Sequence, residues 1–135
     1  MENSLDSAEA LIQLQGKINA RITDLSLLLS KGAEIKSATR MCEVRRYQDK
    51  TIFEVCVDVE TNRDLAVSFW FEFGCENKRW HVTASISRTV RDGQDILHEY
   101  SESSVANFEQ LEGFAIRASD WLVNKAKEFD FNEMK

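Results

Sequence analysis

A chain of 135 residues, 43% hydrophobic and 30% charged, is long enough to bury a full core and too apolar to be a disordered segment. Its net charge of −6 argues against a general nucleic-acid binder, which needs a basic footprint, and against attraction to anionic membrane surfaces. The same acidity favours a basic protein partner, which an acidic surface steers in.

The absence of proline leaves no proline-rich linker and favours one continuous domain over residues 1–135. The opening MENSLDSAEALIQLQGK lacks a basic n-region and an unbroken apolar h-region, so no secretory signal is read there. No apolar run approaches the roughly 20 residues of a membrane span. Cys42, Cys56 and Cys75 are odd in number and show no CxxC spacing, as expected of reduced thiols in a cytoplasmic protein.

In chain order, Leu11, Leu14, Ile18, Ile22, Leu25 and Leu29 recur at helical spacing and predict a first helix with one apolar face. Asp6 with Glu9 resembles a capping box, and Gly32 suits a left-handed cap at its end. Gly16 marks a close packing point or a bend. The period then changes to 2. Cys42 and Val44 open a series continued by Phe53, Val55, Val57 and Val59, then Val67, Phe69, Phe71 and Phe73, then Trp80, Val82, Ala84 and Ile86. Ile96 and Tyr100 close it. Polar residues hold the alternate positions, which is the pattern of an antiparallel sheet covered on one face. Phe108, Leu111, Ala115, Ala118, Leu122, Ala126 and Phe129 predict a second helix, with Phe114 and Trp121 widening its apolar face or forming a dimer contact. The final FDFNEMK is expected to fray.

The short polar links between strands read as hairpins. Turns at Asp49-Lys50, Asn62 to Asp64 and Glu76-Asn77 place Val44 opposite Val55, Val57 opposite Phe69, and Phe71 opposite Val82, so apolar meets apolar throughout. In the last hairpin, an Asp92-Gly93 turn would put Ile96 and Tyr100 among the serines; a loop longer by one residue returns them to the core and is preferred. The expected fold is α+β: a two-layer sandwich in which a five-stranded antiparallel meander carries both terminal helices on one face. Five strands span roughly 20 Å, a width that two helices cover side by side.

The other sheet face is left open. In this register it carries a row of Arg45, Glu54, Glu72 and His81, a row of Glu43, Cys56, Trp70 and Thr83, and a row of Met41, Asp58, Ser68 and Ser85. Trp70 stands at the centre, among acids and small hydroxyls. A large aromatic with a polar rim is the composition of a binding hot spot, and Glu54, Asp58, Trp70, Glu72, His81 and Thr83 are the candidate partner-binding residues. A competing reading has Trp70 merely shielding sheet backbone and the charges forming a solvated ladder. Glu54, Glu72 and His81 have the ligand types of a metal site, but three ligands on exposed strands are a weak signal.

Nothing else in the chain carries catalytic chemistry. His98 is expected to pack beside Tyr100, Cys42 to sit in the core, and Cys75 to lack thiolate activation. The segment RDGQD is a turn rather than a phosphate loop, and no zinc-protease, nucleotide-binding or Ser-His-Asp pattern occurs. No enzyme activity, cofactor or metal is expected.

In size, acidity and architecture the chain resembles small bacterial immunity proteins, a likeness that carries no motif and assigns no residue. It implies neutralisation of a toxin domain, with acids mimicking the phosphates of the toxin's substrate and Trp70 anchoring the contact. Two alternatives remain: a dimeric secretion-type chaperone, and a small-ligand binder or enzyme using a pocket at the sheet edge. Whether the protein is a monomer or a homodimer is open.

Overall fold

The change of hydrophobic period from 3.6 to 2 and back is realised in full. A computed structural model describes residues 4–47, 50–76, 79–105 and 107–133. Helix α1 (Ser4–Leu29) leads into strands β1 (Ile35–Tyr47), β2 (Lys50–Thr61), β3 (Ala66–Glu76), β4 (Arg79–Val90) and β5 (Gly93–Val105); helix α2 (Phe108–Glu128) and a 3-10 turn over Phe131–Glu133 follow. The strands form one antiparallel sheet in sequence order, so every connection is a hairpin.

Both helices lie on the same face, α1 over β1 and β2 and α2 over β3 to β5, and they touch each other. Between helices and sheet the core consists of Leu14, Ile18, Ile22 and Leu25 from α1, the phenylalanines and valines of β2 and β3, and Leu111, Ala115, Ala118 and Leu122 from α2. The small alanines let α2 approach closely. Phe114 and Trp121 flank its buried stripe and pack against the core, Trp121 with its ring centroid 5.9 Å from that of Tyr100.

The helix ends differ from expectation. Helix α1 begins before Asp6, so Asp6 is not its cap. No backbone of positive φ occurs at Gly32; its N–H donates to Leu29 O at 3.1 Å, and a Cβ there would lie 3.0 Å from Ile35 Cγ1. Handedness therefore does not require a glycine here, although a side chain would sit tightly against Ile35. Gly16 faces open space, so it is not a close packing point. Asn107 caps α2, its side chain accepting from Gln110 N at 2.9 Å.

The described part of the C-terminal segment is packed through Phe131 rather than frayed. Phe131 is 4% exposed. Its ring stacks edge-on with Phe129 at 4.8 Å, and both lie against Phe69. Arg63 Nη2 donates to Phe131 O at 2.6 Å, fixing the segment to the β2–β3 loop. In that loop Asp64 takes the left-handed conformation (φ 61°), which a short polar side chain tolerates.

Pairing of β2 with β3 follows the expected register, Val57 opposite Phe69 and Val55 opposite Phe71. Two other hairpins are displaced by two residues. Tyr47 pairs with Lys50, so Lys50 belongs to β2 and not to the turn; Val44 meets Phe53 and Arg45 meets Ile52. Glu76 pairs with Arg79, so Glu76 belongs to β3 and not to the turn; Phe71 meets Ala84, and Glu72 meets Thr83 rather than His81. The residues of both turns lie outside the described ones. An even displacement keeps every side chain on its face, so alternation cannot detect it.

The last hairpin follows neither reading in full: the preferred longer loop is not formed, and the tight turn falls one residue before Asp92-Gly93. Val90 pairs with Gly93 (φ 142°) around a tight Arg91-Asp92 turn, and Ser87 pairs with Ile96. An irregularity follows, after which Ile86 pairs with His98 and Ala84 with Tyr100. This bulge at Leu97 does what the longer loop was expected to do, but one step later. Tyr100 returns to the helix side, while Ile96 stays on the open face at 58% exposure. His98 and Cys42 are exposed rather than packed.

Candidate functional site

With the observed register, the open face carries a new set of cross-strand rows. The first reads Glu43, Glu54, Glu72, Thr83, Ser101. The second reads Met41, Cys56, Trp70, Ser85, Glu99, and the third Thr39, Asp58, Ser68, Ser87, Ile96. All six sequence-predicted residues are on this face, and their neighbours have changed. Three carboxylates, not two, now stand directly opposite one another across β1, β2 and β3. Such a line of like charges destabilises an isolated sheet.

Two basic side chains lean in diagonally. Arg45 lies opposite Ile52, yet its Nη2 donates to Glu54 Oε2 at 2.8 Å. His81 lies opposite Gly74, and its Nε2 stands 3.6 Å from Glu72 Oε2. His81 is therefore a neighbour of the acidic row and not a member of it, and Glu54, Glu72 and His81 do not form one row of ligands. Among the described residues no group of three or more His, Cys, Asp or Glu is placed to hold a metal ion.

Burial within the face is uneven. Glu54 is 8% exposed, and its carboxyl is held above the ordinary range by that burial. Glu43 and Glu72 push in the same direction, while Arg45 opposes them. Cys56, between Met41 and Trp70 in the second row, is 6% exposed; burial, with Asp58 and Glu54 nearby, pushes its thiol up to about 11. It is a neutral packing group and not a nucleophile. Asp58 accepts from Ser68 Oγ at 2.7 Å.

Trp70 is half-buried. On its β2 side it meets Cys56; on its β4 side stands Ser85, too small to cover it. A depression of about 270 Å³ opens there, lined by Trp70, Glu72, Thr83, Ser85, Ser87, Gln94, Ile96 and Glu99. Glu54 is not among its walls, so the carboxyl with the raised pKa does not face this space. Gln94, Ile96 and Glu99 were not sequence candidates. Their position depends on the tight turn followed by the bulge, and only the Asp92-Gly93 alternative pointed toward it.

A second cavity, about 380 Å³, lies on the helix side at the sheet edge and is lined mainly by Leu28, Leu29, Ile35, Ala126, Phe129 and Phe131. The described residues include no helix long and apolar enough to cross a membrane. Comparison with known proteins yields no matching family model, no matching curated protein and no matching solved structure.

Proposed function

We propose that this protein is a small acidic interaction module that binds a basic protein partner through its open sheet face and neutralises it, in the manner of an immunity protein acting on a toxin domain. One observation carries the reading: Glu43, Glu54 and Glu72 stand directly opposite each other on neighbouring strands, beside a half-buried Trp70. In the free protein this row is repulsive. A basic partner converts the same repulsion into attraction and desolvates the indole, which suits Trp70 as an anchor. Met41 and Ile96 share the face with it, but the indole is the largest apolar side chain there and stands beside the acidic row.

No catalytic role is assigned. Glu54 is bonded to Arg45 and does not line the depression, and Cys56 is a neutral thiol. The cytosol is the proposed compartment, supported by three cysteines that form no disulfide.

The test is affinity capture from the native host's lysate with wild type and a Trp70→Ala/Glu72→Lys variant, both confirmed folded by circular dichroism. The reading expects a basic protein held by wild type and lost by the variant. Equal capture by both moves the interface to the helices or a sheet edge.

A second reading rests on the apolar cavity between the end of α1 and the C-terminal segment, which matches a small apolar ligand at the sheet edge. Saturable binding of a fluorescent apolar probe, blocked by Ala126→Phe, supports it; no binding removes it.

A further inference from the structure

The shape of the open face narrows the chemistry of the partner. Strand β4 presents only small hydroxyl residues there, Thr83, Ser85 and Ser87, over a length of roughly 13 Å. Its neighbours present large ones: Trp70 and Glu72 on β3, Ile96 and Glu99 on β5. The result is a trough with β4 as its floor, its walls two strand spacings apart, about 9–10 Å between backbones. One end is closed by a fixed polar pair, Ser87 Oγ donating to Gln94 Oε1 at 3.0 Å while Gln94 Nε2 donates to Thr89 Oγ1 at 3.1 Å.

The lining contains two carboxylates and no lysine or arginine. Glu99, on the far wall, is exposed and makes no ion pair or hydrogen bond among the described residues. Trp70 presents a half-buried aromatic surface on the near wall. The volume, about 270 Å³, falls below the roughly 300–1,000 Å³ of pockets that enclose drug-sized molecules. It suits one long side chain. We infer that the trough between β3 and β5 is a subsite for an arginine side chain of the basic partner. This rests on the interaction reading above and deepens it.

Arginine fits better than lysine for a stated reason. A guanidinium is planar, stacks on an aromatic face and donates in a fixed fork to a carboxylate, whereas an ammonium is a compact, strongly hydrated point charge. Trp70 supplies the stacking surface, Glu72 and Glu99 the acceptors on opposite walls, and the Thr83 and Ser85 hydroxyls further acceptors on the floor.

The experiment titrates the intact protein with two charge-matched probes, a blocked tetra-arginine peptide and a blocked tetra-lysine peptide. It follows the Trp70 indole N–H by NMR, assigned through Trp70→Phe. The expected result is a saturable shift with arginine and binding roughly three- to five-fold weaker with lysine. Glu99→Gln, outside the acidic row, weakens arginine binding by a similar factor. Ser85→Leu raises the floor without changing charge and removes the arginine preference. Equal binding of the two peptides, no shift at the Trp70 indole, or indifference to both variants overturns the subsite. Each of these leaves the wider reading to its own test: a basic protein captured by wild type, lost by the Glu72 variant and unaffected by Glu99→Gln and Ser85→Leu would retain the interface and reject the arginine trough.

Discussion

Replacing Glu43 by glutamine should make the free protein more stable. Glu43 is exposed and lies directly opposite Glu54, which in turn lies opposite Glu72. Side chains so placed have Cβ atoms about 5 Å apart, and two unit charges at that distance in water repel by about 0.8 kcal/mol. Screening leaves roughly 0.7 kcal/mol at 0.01 M salt, 0.4 at 0.15 M and 0.2 at 1 M. Urea unfolding followed by far-ultraviolet circular dichroism is the assay. With a slope of about 1.5 kcal/mol/M, the variant's midpoint should rise by roughly 0.5 M at low salt and by little at 1 M. A gain independent of salt would refute the electrostatic argument. A loss of stability would refute the pairing of Glu43 with Glu54 itself.

Three further outcomes follow from the same geometry. Because the Glu54 carboxyl is held above its ordinary value of 4.5, the native state keeps its proton where the unfolded chain has lost it. Stability should fall as pH rises from that value through the raised one, and Glu54→Gln should flatten this slope in urea unfolding across about pH 4–7; an unchanged slope contradicts it. Cys42 is exposed and Cys56 is buried with a thiol near 11, so a thiol reagent at about pH 8 should label Cys42 quickly and Cys56 only on unfolding, as peptide mass mapping will show. Phe131→Ala should cost about 3 kcal/mol by removing a buried ring from Phe69 and Phe129, whereas a change under about 0.5 kcal/mol would mean that the segment frays after all.

Much of the fold was legible in the residues because hydrophobic period reports which face a side chain occupies. Val67, Phe69, Phe71 and Phe73 could belong to no other face, and the two helices had to lie where the apolar side chains point. Register was less legible. Moving the first and third turns by one residue each shifts the pairing by two, and apolar still meets apolar. Glu43 therefore joins the acidic row, and Glu72 exchanges His81 for Thr83 with no change in pattern. The bulge at Leu97 was hidden for a related reason. Ile96 and Tyr100 are both apolar, and nothing local says that one of them faces outward. The C-terminal Phe129 and Phe131 lie at one end of a helical stripe and just past it, where burial depends on a distant ring, Phe69. Chain position alone suggested fraying; packing decided otherwise.

The central claim is that the acidic open face is the working surface. Its most direct measurement is the affinity of the captured basic partner for three proteins: wild type, Glu43→Lys/Glu72→Lys on the open face, and Asp24→Lys on the exposed side of α1. Each is measured at low and high salt. The account predicts that the open-face variant loses at least about thirty-fold in affinity, by the 2 kcal/mol or more expected of buried charge pairs, while Asp24→Lys changes little and salt weakens wild-type binding. Equal losses for both variants would reduce the effect to net charge, and an unaffected open-face variant would place the interface elsewhere and contradict the account.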